Sequence, residues 1–481
     1  MADATRFGKR LRQLRDRVGL TQVALAQRLG ISPSYLNLME HDRRPLPAAV
    51  LVKLAQEFDV DVRSFGGGAE ARLASDLTEV FGDPLFDAVK VPADEIQEVA
   101  RQTPAAAAAI VHLFHAWEAA RASANTMAER ALEPGGAGSI DPVRLSSEQV
   151  SDLLQKHMNH FPELEEAAEV LRREARLSDE ELFSALARHL ERAHGVKVKV
   201  DTVQNMRGAL RRFDPATKTL VLSEVLRRGS RNFQLAHQAA LLTVPALLDH
   251  VAADPVLTSD ESRRLARIAL ASYFASAVVM PYDAFLAAAE AERYDVDLLG
   301  HRFRTSFEQV AHRLTTLRRR GREGIPFHMV RVDIAGNISK KFSATAVRFP
   351  RFSGLCPLWD VHAAFLRPGF IRVQISKLQD GSRWFSVART VRKHRGGYHA
   401  RNVLQAIGLG CALEDAHRLV YADGIDLHNT AAAIPVGMTC RLCERMDCEA
   451  RAFPPVQKPL SIDENVLGMS FYAPVGERKD A

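Results

Sequence analysis

Residues 21–44 read TQVALAQRLGISPSYLNLMEHDRR, and this stretch decides the N-terminal fold. Thr21 stands where an N-cap belongs, and Leu25, Ala26 and Leu29 fall on one helical face. Gly30 follows as a residue tolerant of positive φ, the common stop of a helix. Ser32 and Pro33 open a second helix, the first as N-cap and the other at the first helical position. Leu36, Leu38 and Met39 are the apolar candidates to face inward, which leaves Ser34, Tyr35 and Asn37 outward near the helix start. Two helices joined by so tight a turn predict a helix-turn-helix, whose second helix enters a DNA major groove N-terminus first.

Over residues 7–65 the chain resembles the lambda-repressor-like (XRE) helix-turn-helix family. The resemblance rests on an opening FGKRLRQLRDRVGL, the TQ at a helix start, GISPSYLN across the turn, and EHDRRP. In such a reader Gln22 meets a phosphate from its helix start and Arg43 and Arg44 meet another, while Ser32, Ser34, Tyr35 and Asn37 are the candidates for base edges. The competing reading is a helical hairpin with no nucleic-acid role.

At 481 residues the chain is too long for one ordinary domain, and about three are expected. Net charge is +6; the first 65 residues carry 11 Lys and Arg against 7 Asp and Glu, so +4 of it sits where a polyanion would bind. No signal peptide is expected before the first helix. The longest apolar run, 105–116, is interrupted by His112 and His115 and falls short of the ~18 residues a membrane span needs. A cytoplasmic protein with no membrane partner is expected. All five cysteines fall after residue 355.

Four divisions follow: 1–65, a helix-turn-helix domain; 66–140, a helical connector and linker; 141–320, a middle domain; and 321–481, a C-terminal domain. Gly66, Gly67 and Gly68 mark a hinge, and 133–139 (EPGGAGS) is the clearest linker. Between them 105–132 reads as one long helix, either pairing two chains or packing on the next domain. In the middle domain helices are predicted at 147–155, 164–175 and 179–194, and VKVKV (196–200) alternates as a strand. Residues 210–213 and 219–222 flank the turn signal DPAT as two short strands. A helix from Asn232 stops before Pro245, and another covers 260–279.

This order resembles the IrrE/ImmA metallopeptidase-like domain, through FQLAHQAALL (233–242) and SYFASAVVMP (272–281). Active members carry H-E-x-x-H there, two zinc ligands one helical turn apart with the general base between them. Here Gln238 replaces the base, Leu241 the second histidine, and Ile268 takes the place of a further Glu ligand. Only His237 remains, and it is expected to be a satisfied core histidine. The resemblance therefore implies a peptidase scaffold without catalysis, with no catalytic residue and a cleft free to sense a ligand. Arg207, Arg211, Arg212 and Arg231 lie near this cleft in sequence, beside Lys218, Arg227 and Arg228. They are either solvated faces or anchors for an anionic effector with several phosphates.

Further on, SFEQVAHRLTTL (306–317) is an amphipathic helix and FHMVRVD (327–333) a strand; 374–391 forms two strands joined at Asp380 and Gly381. AIGLGCALEDAHRLVYADG (406–424) reads as a helix running to a turn. Together with AGNISKKFSA (335–344), FSGLCPLWDVHAAF (352–365) and CRLCERMDCEARAFPP (440–455), these segments resemble the short-chain fatty acyl transcriptional regulators. That family combines an XRE helix-turn-helix, a peptidase-like middle and this tail, and its methylcitrate-cycle and glyoxylate-bypass members fit best. The resemblance implies control of propionate or acetate catabolism genes, an acyl-coenzyme A effector such as propionyl-coenzyme A, and an iron–sulfur cluster. The fold class so implied is mainly α with smaller α+β parts: helix-turn-helix, helical connector, degenerate metallopeptidase-like domain, and a C-terminal α+β domain with a cysteine-ligated metal centre.

Cys440, Cys443 and Cys448 place three thiols on one loop of nine residues, able to converge on a metal without long loop closure. Arg441, Arg445 and Arg451 flank them. Cys356, in the turn GLCP, is the candidate fourth ligand, whereas Cys411 lies in an apolar run and is expected in the core. A disulfide is disfavoured in a reducing compartment. The residues alone leave zinc and an iron–sulfur cluster open; the family resemblance tilts the choice to a 4Fe-4S cluster. The function expected is an effector- and redox-responsive transcription factor, a homodimer or higher oligomer on repeated double-stranded half-sites. The alternatives are a helix-turn-helix-linked zinc protease, which Gln238, Leu241 and Ile268 oppose, and a zinc-stapled DNA binder without effector.

Overall fold

The computed structural model describes residues 8–131 and 143–454, apart from 18, 42, 45–46, 48–49, 51–52, 55–56, 59–67, 87–88, 90, 179, 346, 351–353, 394–395, 397–399, 401–402 and 442. The hinge at Gly66 and Gly67 and the linker at 133–139 lie outside the described residues. The chain folds as two compact units, 1–118 and 119–481.

The first unit is helical. Helices α1 (Gly8–Arg17), α2 (Gln22–Leu29) and α3 (Pro33–Glu40) close on Leu11, Leu14, Leu25, Leu29, Leu36 and Met39. A second cluster joins α4 (Gly68–Phe81), α5 (Ala93–Gln102) and the start of α6 (Pro104–Ala131) through Leu77, Val80, Ile96, Val111 and Phe114. The long helix therefore packs by its first turns on its own neighbours.

The second unit opens with α7 (Val143–Lys156), α8 (Pro162–Glu174) and α9 (Leu182–His194). A three-stranded sheet follows, with β1 (Lys197–Asp201) parallel to β3 (Thr219–Ser223) and β2 (Arg211–Asp214) antiparallel at the edge. Between β1 and β2 lies the single turn α10 (Val203–Met206). Next come α11 (Arg228–Thr243), α12 (Pro245–Ala252) and α13 (Asp260–Val279), the last fixed at its start by a Ser259–Ser262 capping box. Then come α14 (Tyr282–Ala291), α15 (Val296–Arg302) and α16 (Phe307–Leu314). As expected, α11 ends just before Pro245, at Thr243, and Pro245 then starts α12 at its first position, where a missing N–H costs nothing.

The C-terminal part is a six-stranded sheet in the order β5 (Ile338–Ser343), β4 (His328–Asp333), β8 (Val403–Ala412), β7 (Arg383–Lys393), β6 (Arg372–Lys377) and β9 (Ile434–Pro435). One face, with Met329, Phe385, Val387, Ile407, Leu409 and Cys411, shares a continuous core with the helices of the middle region. The other, with Val330, Val332, Ala388 and Ala406, is covered by Trp359 and by Val361 of the short helix α17 (Asp360–Ala363). Residues 141–320 and 321–481 are thus joined through one hydrophobic interior. The predicted helix at 406–424 is corrected: 403–412 is the central strand β8, followed by 3₁₀ turns at Leu413–Arg418 and Val420–Ala422. Strand pairing to β4 and β7 on both sides overrides the helical reading of this apolar run.

A buried ion pair pins the helices of the second unit. The Arg313 guanidinium grips Glu165 at 2.6 and 2.9 Å, and Tyr273 donates to the same carboxylate at 2.6 Å. Arg313 also donates to the Met280 carbonyl and to Thr316, so all three guanidinium nitrogens have partners in this dry interior. Burial pushes the Glu165 carboxyl up, but Arg313 overrides it and holds it below its ordinary value. Among the described residues no single helix is long and apolar enough to cross a membrane.

Candidate functional site

The reading helix is built by its caps. Thr21 accepts from the Ala24 amide at 3.2 Å and Ser32 from the Tyr35 amide at 3.1 Å. Gly30 ends α2 at φ 66°, with its own amide on Gln27 and that of Ile31 on Ala26. Leu36, Met39 and Glu40 of α3 turn inward, while Ser34, Asn37, Leu38 and His41 form its outward row. Leu38, expected inside, is 36 % exposed because it falls off the stripe that 36, 39 and 40 define. Tyr35 is half-buried against the helix-turn-helix core. The Gln22 amide donates to Asn37 Oδ1 at 3.3 Å and to Glu40 Oε2 at 2.8 Å, and Glu40 also receives Arg15 at 2.7 Å. A buried carboxylate thus ties all three helices and sets the orientation of Asn37. Arg43 and Arg44 are exposed just past the helix, their amides folded back on the Leu38 carbonyl.

In the middle region His237 is buried on α11. Its Nδ1 lies 2.6 Å from Arg211 Nη1, so the guanidinium donates and the ring accepts. The Ile268 carbonyl takes a hydrogen bond from the ring, although the Ile268 side chain faces solvent. Burial, and then the Arg211 charge, hold the imidazole at about 4. Gln238 is buried and Leu241 half-buried beside it. A cation on β2 sits against the one surviving ligand-type residue. The other arginines do not gather with it: Arg212 donates to the Met206 carbonyl, Arg231 to the Glu224 carbonyl, and Arg207 caps α10 at φ 46°.

Cys356 lies near Cys440 and Cys443 at one corner beyond β9. Cys356, Cys440 and Cys443 are buried, Cys448 is half-buried, and none is in a disulfide. The Cys356 amide donates to the Met438 carbonyl at 2.9 Å. Its sulfur accepts from the amides of Gly437 and Leu358; burial raises this thiol, with Cys440 and Cys443 adding to the rise. A Cβ at Gly437 would stand 3.0 Å from Cys443 Sγ and 3.2 Å from its Cβ, so a side chain there would crowd that sulfur. Buried Arg451 knits the loop by donating to the carbonyls of Cys440 at 2.7 Å and Cys443 at 2.6 Å. Arg445 does the same for Val436 and Lys377, and Arg441 lies over the Phe453 ring. Cys411 lies apart, fully buried on β8 opposite Phe385. The donors and the amides aimed at Cys356 suit a thiolate-ligated group, yet among the described residues no three His, Cys, Asp or Glu side chains are drawn together to hold a metal ion.

Known proteins match each part. Residues 6–63 match a helix-turn-helix domain, 191–315 the IrrE N-terminal-like domain, and 316–472 the short-chain fatty acyl coenzyme A regulator C-terminal domain. The transcriptional regulator RamB of Mycobacterium tuberculosis H37Rv is 42 % identical, over 97 % of this chain and 98 % of that protein. PrpR of the same strain is 40 % identical over 95 % and 93 %. A propionyl-CoA carboxylase regulator of Cereibacter sphaeroides is 39 % identical over 98 % and 99 %. A solved Mycobacterium tuberculosis transcriptional regulator superposes with TM-score 0.65 at 41 % identity, covering 68 % of this chain and 99 % of its own. The capped reading head, the silenced metallopeptidase fold and the thiol-bearing tail define a helix-turn-helix transcriptional regulator whose partner is DNA. The chain belongs to the short-chain fatty acyl coenzyme A regulator family. Its relatives are regulators rather than enzymes, and so is this chain.

Proposed function

We propose that the protein is a cytoplasmic homodimeric regulator of propionate and short-chain fatty acid catabolism genes, tuned by acyl-coenzyme A. The observation that carries this reading is identity near 40 % along almost the whole chain to three regulators, one named for propionyl-CoA carboxylase. Asn37, Ser34 and Tyr35 read bases, Leu38 offers an apolar surface to a thymine methyl, and Arg43 and Arg44 hold phosphates. Ser32 serves chiefly as the cap that points this helix, and Gln22 orients Asn37. The effector acts by binding one arrangement of two reading heads better than another, since only differential affinity shifts such an equilibrium. Arg207, Arg211, Arg212 and Arg231 are the candidates for its phosphates, each held separately rather than gathered in one cluster.

Cys356, Cys440, Cys443 and Cys448 are the residues to hold a 4Fe-4S cluster, with zinc the other occupant their chemistry admits. Such a cluster supplies one-electron redox change. The chain's own part is to fix the thiol loop through Arg451 and Arg445 and to link it to the sheet through Val436 and Lys377. Iron, zinc and acid-labile sulfide assays on anaerobically purified protein test this. Iron and sulfide in equal amounts, lost in a Cys443→Ser variant, are expected; zinc without sulfide would remove redox sensing and leave the DNA reader untouched.

A further inference from the structure

Glu308 and His312 stand one turn apart on α16 and meet charged residues from three strands. Arg331 of β4 donates to Glu308 Oε1 at 2.6 Å, and Lys393 of β7 donates to Oε2. The β4–β5 ladder slips by one residue here: Arg331 pairs with Lys340 and Val332 with Ile338, which leaves Ser339 as a bulge. Ser339 Oγ accepts from Arg331 Nε at 2.9 Å. Cross-strand partners share a face of the sheet, so Lys340 stands beside Arg331.

The cluster sets three cations around one carboxylate, and both oxygens of that carboxylate are already taken by Arg331 and Lys393. Among the described residues the half-buried Lys340 has no hydrogen-bond or ion-pair partner for its ammonium. Burial pushes Glu308 up, but Lys393, Lys340 and Arg331 hold it at about 2, so it stays ionised. Burial lowers Lys340 to about 8, with Arg331 and Lys393 adding to the fall and Glu308 opposing it. His312 is held well below its ordinary value, chiefly by burial, and brings no charge. A lysine kept partly dry beside other cations offers a free amine near neutral pH, and a free amine is a nucleophile.

We propose that Lys340 is a covalent modification site that takes an acyl group from small acyl thioesters. Its Nζ attacks the thioester carbonyl carbon. The N–C bond forms as the C–S bond breaks, and the thiol leaves with the proton that the amine gives up. The amide product has lost the positive charge, which relieves the repulsion from Arg331 and Lys393. This goes beyond reversible binding of an acyl-coenzyme A and does not depend on it, because any thioester able to reach the amine supplies the acyl group.

Incubation of the full chain with S-propionyl-N-acetylcysteamine, a thioester without phosphates, tests the assignment. Hydroxylamine then strips thioesters from cysteine and leaves amides on lysine, which mass spectrometry locates. At pH 8 Lys340 is expected to react about tenfold faster than the exposed Lys199. Its rate should level off above about pH 8, while that of Lys199 keeps rising toward pH 10. Lys393→Met, at a side chain 45 % exposed, removes one flanking cation and frees Glu308, and should slow Lys340 about threefold at pH 8. Reaction of Lys340 no faster than that of Lys199, parallel pH profiles for the two, or an unchanged rate in Lys393→Met would overturn the proposal.

Discussion

Asn37 stands one turn into the reading helix, exposed, with its side-chain oxygen held by Gln22. An amide so oriented presents a fixed donor and acceptor pair to a base edge. Asn37→Ala should therefore cost about 1–3 kcal/mol at one operator position and relax the preference there. Arg44→Ala should weaken binding to all sequences alike and lower the salt slope by about 1. Competition binding against single-base operator variants at several salt concentrations separates the two. Arg313 is different, being sealed on Glu165 with no exposed surface. Arg313→Met should cost about 3–5 kcal/mol because it strands a buried carboxylate, and Glu165→Leu added to it should recover part of the loss. Urea midpoints of both variants check this. The caps at Thr21 and Ser32 were legible in the sequence because capping is local. The Gln22–Glu40–Arg15 tie and the Arg211–His237 contact were not, since both join residues that only the tertiary fold brings together.

At the scale of elements, the legible parts were those with a clear period. The helix at 260–279 and the strands around Asp380 and Gly381 stand where their patterns place them. β8 was not legible: 404–412 is apolar on both faces, and periodicity cannot separate a buried strand from a buried helix. Gly408 and Gly410 carried the missing signal. A Cβ at Gly408 would meet Val330 Cγ1 at 3.2 Å, and one at Gly410 would strike the His328 ring. His328 is buried among Phe349, Trp359 and Trp384, and burial depresses it to about 3. His237 lies at about 4. Both folded values fall below the unfolded value of about 6.5. Their contribution to stability is therefore whole above that pH and is lost as pH falls toward 4 and 3. Urea midpoints should drop from pH 7 to pH 4, and less steeply in His328→Leu than in the parent chain. An equal drop in both would remove His328 from the account.

At the scale of the molecule, sequence alone divided the chain into four parts, whereas the hydrophobic core of the second unit runs unbroken from the silent peptidase helices into the six-stranded sheet. That continuity was hidden because it depends on one sheet face packing on helices far away in sequence. The thiol corner lies instead with the separate core on the other face of the sheet, where Cys356 packs with Leu355, Trp359 and Val436. The excess positive charge of the first 65 residues remains the long-range pull toward a polyanion. The central claim is that this chain reads a particular DNA sequence under control of an acyl thioester. Fluorescence anisotropy of the full chain, titrated at fixed physiological salt on fragments of its own promoter and on scrambled fragments, with and without propionyl-coenzyme A, tests it directly. The account predicts one fragment bound roughly 10³-fold tighter than the scrambled ones, with an affinity that shifts when the thioester is added. Equal affinity for all fragments, unmoved by the thioester, would contradict it.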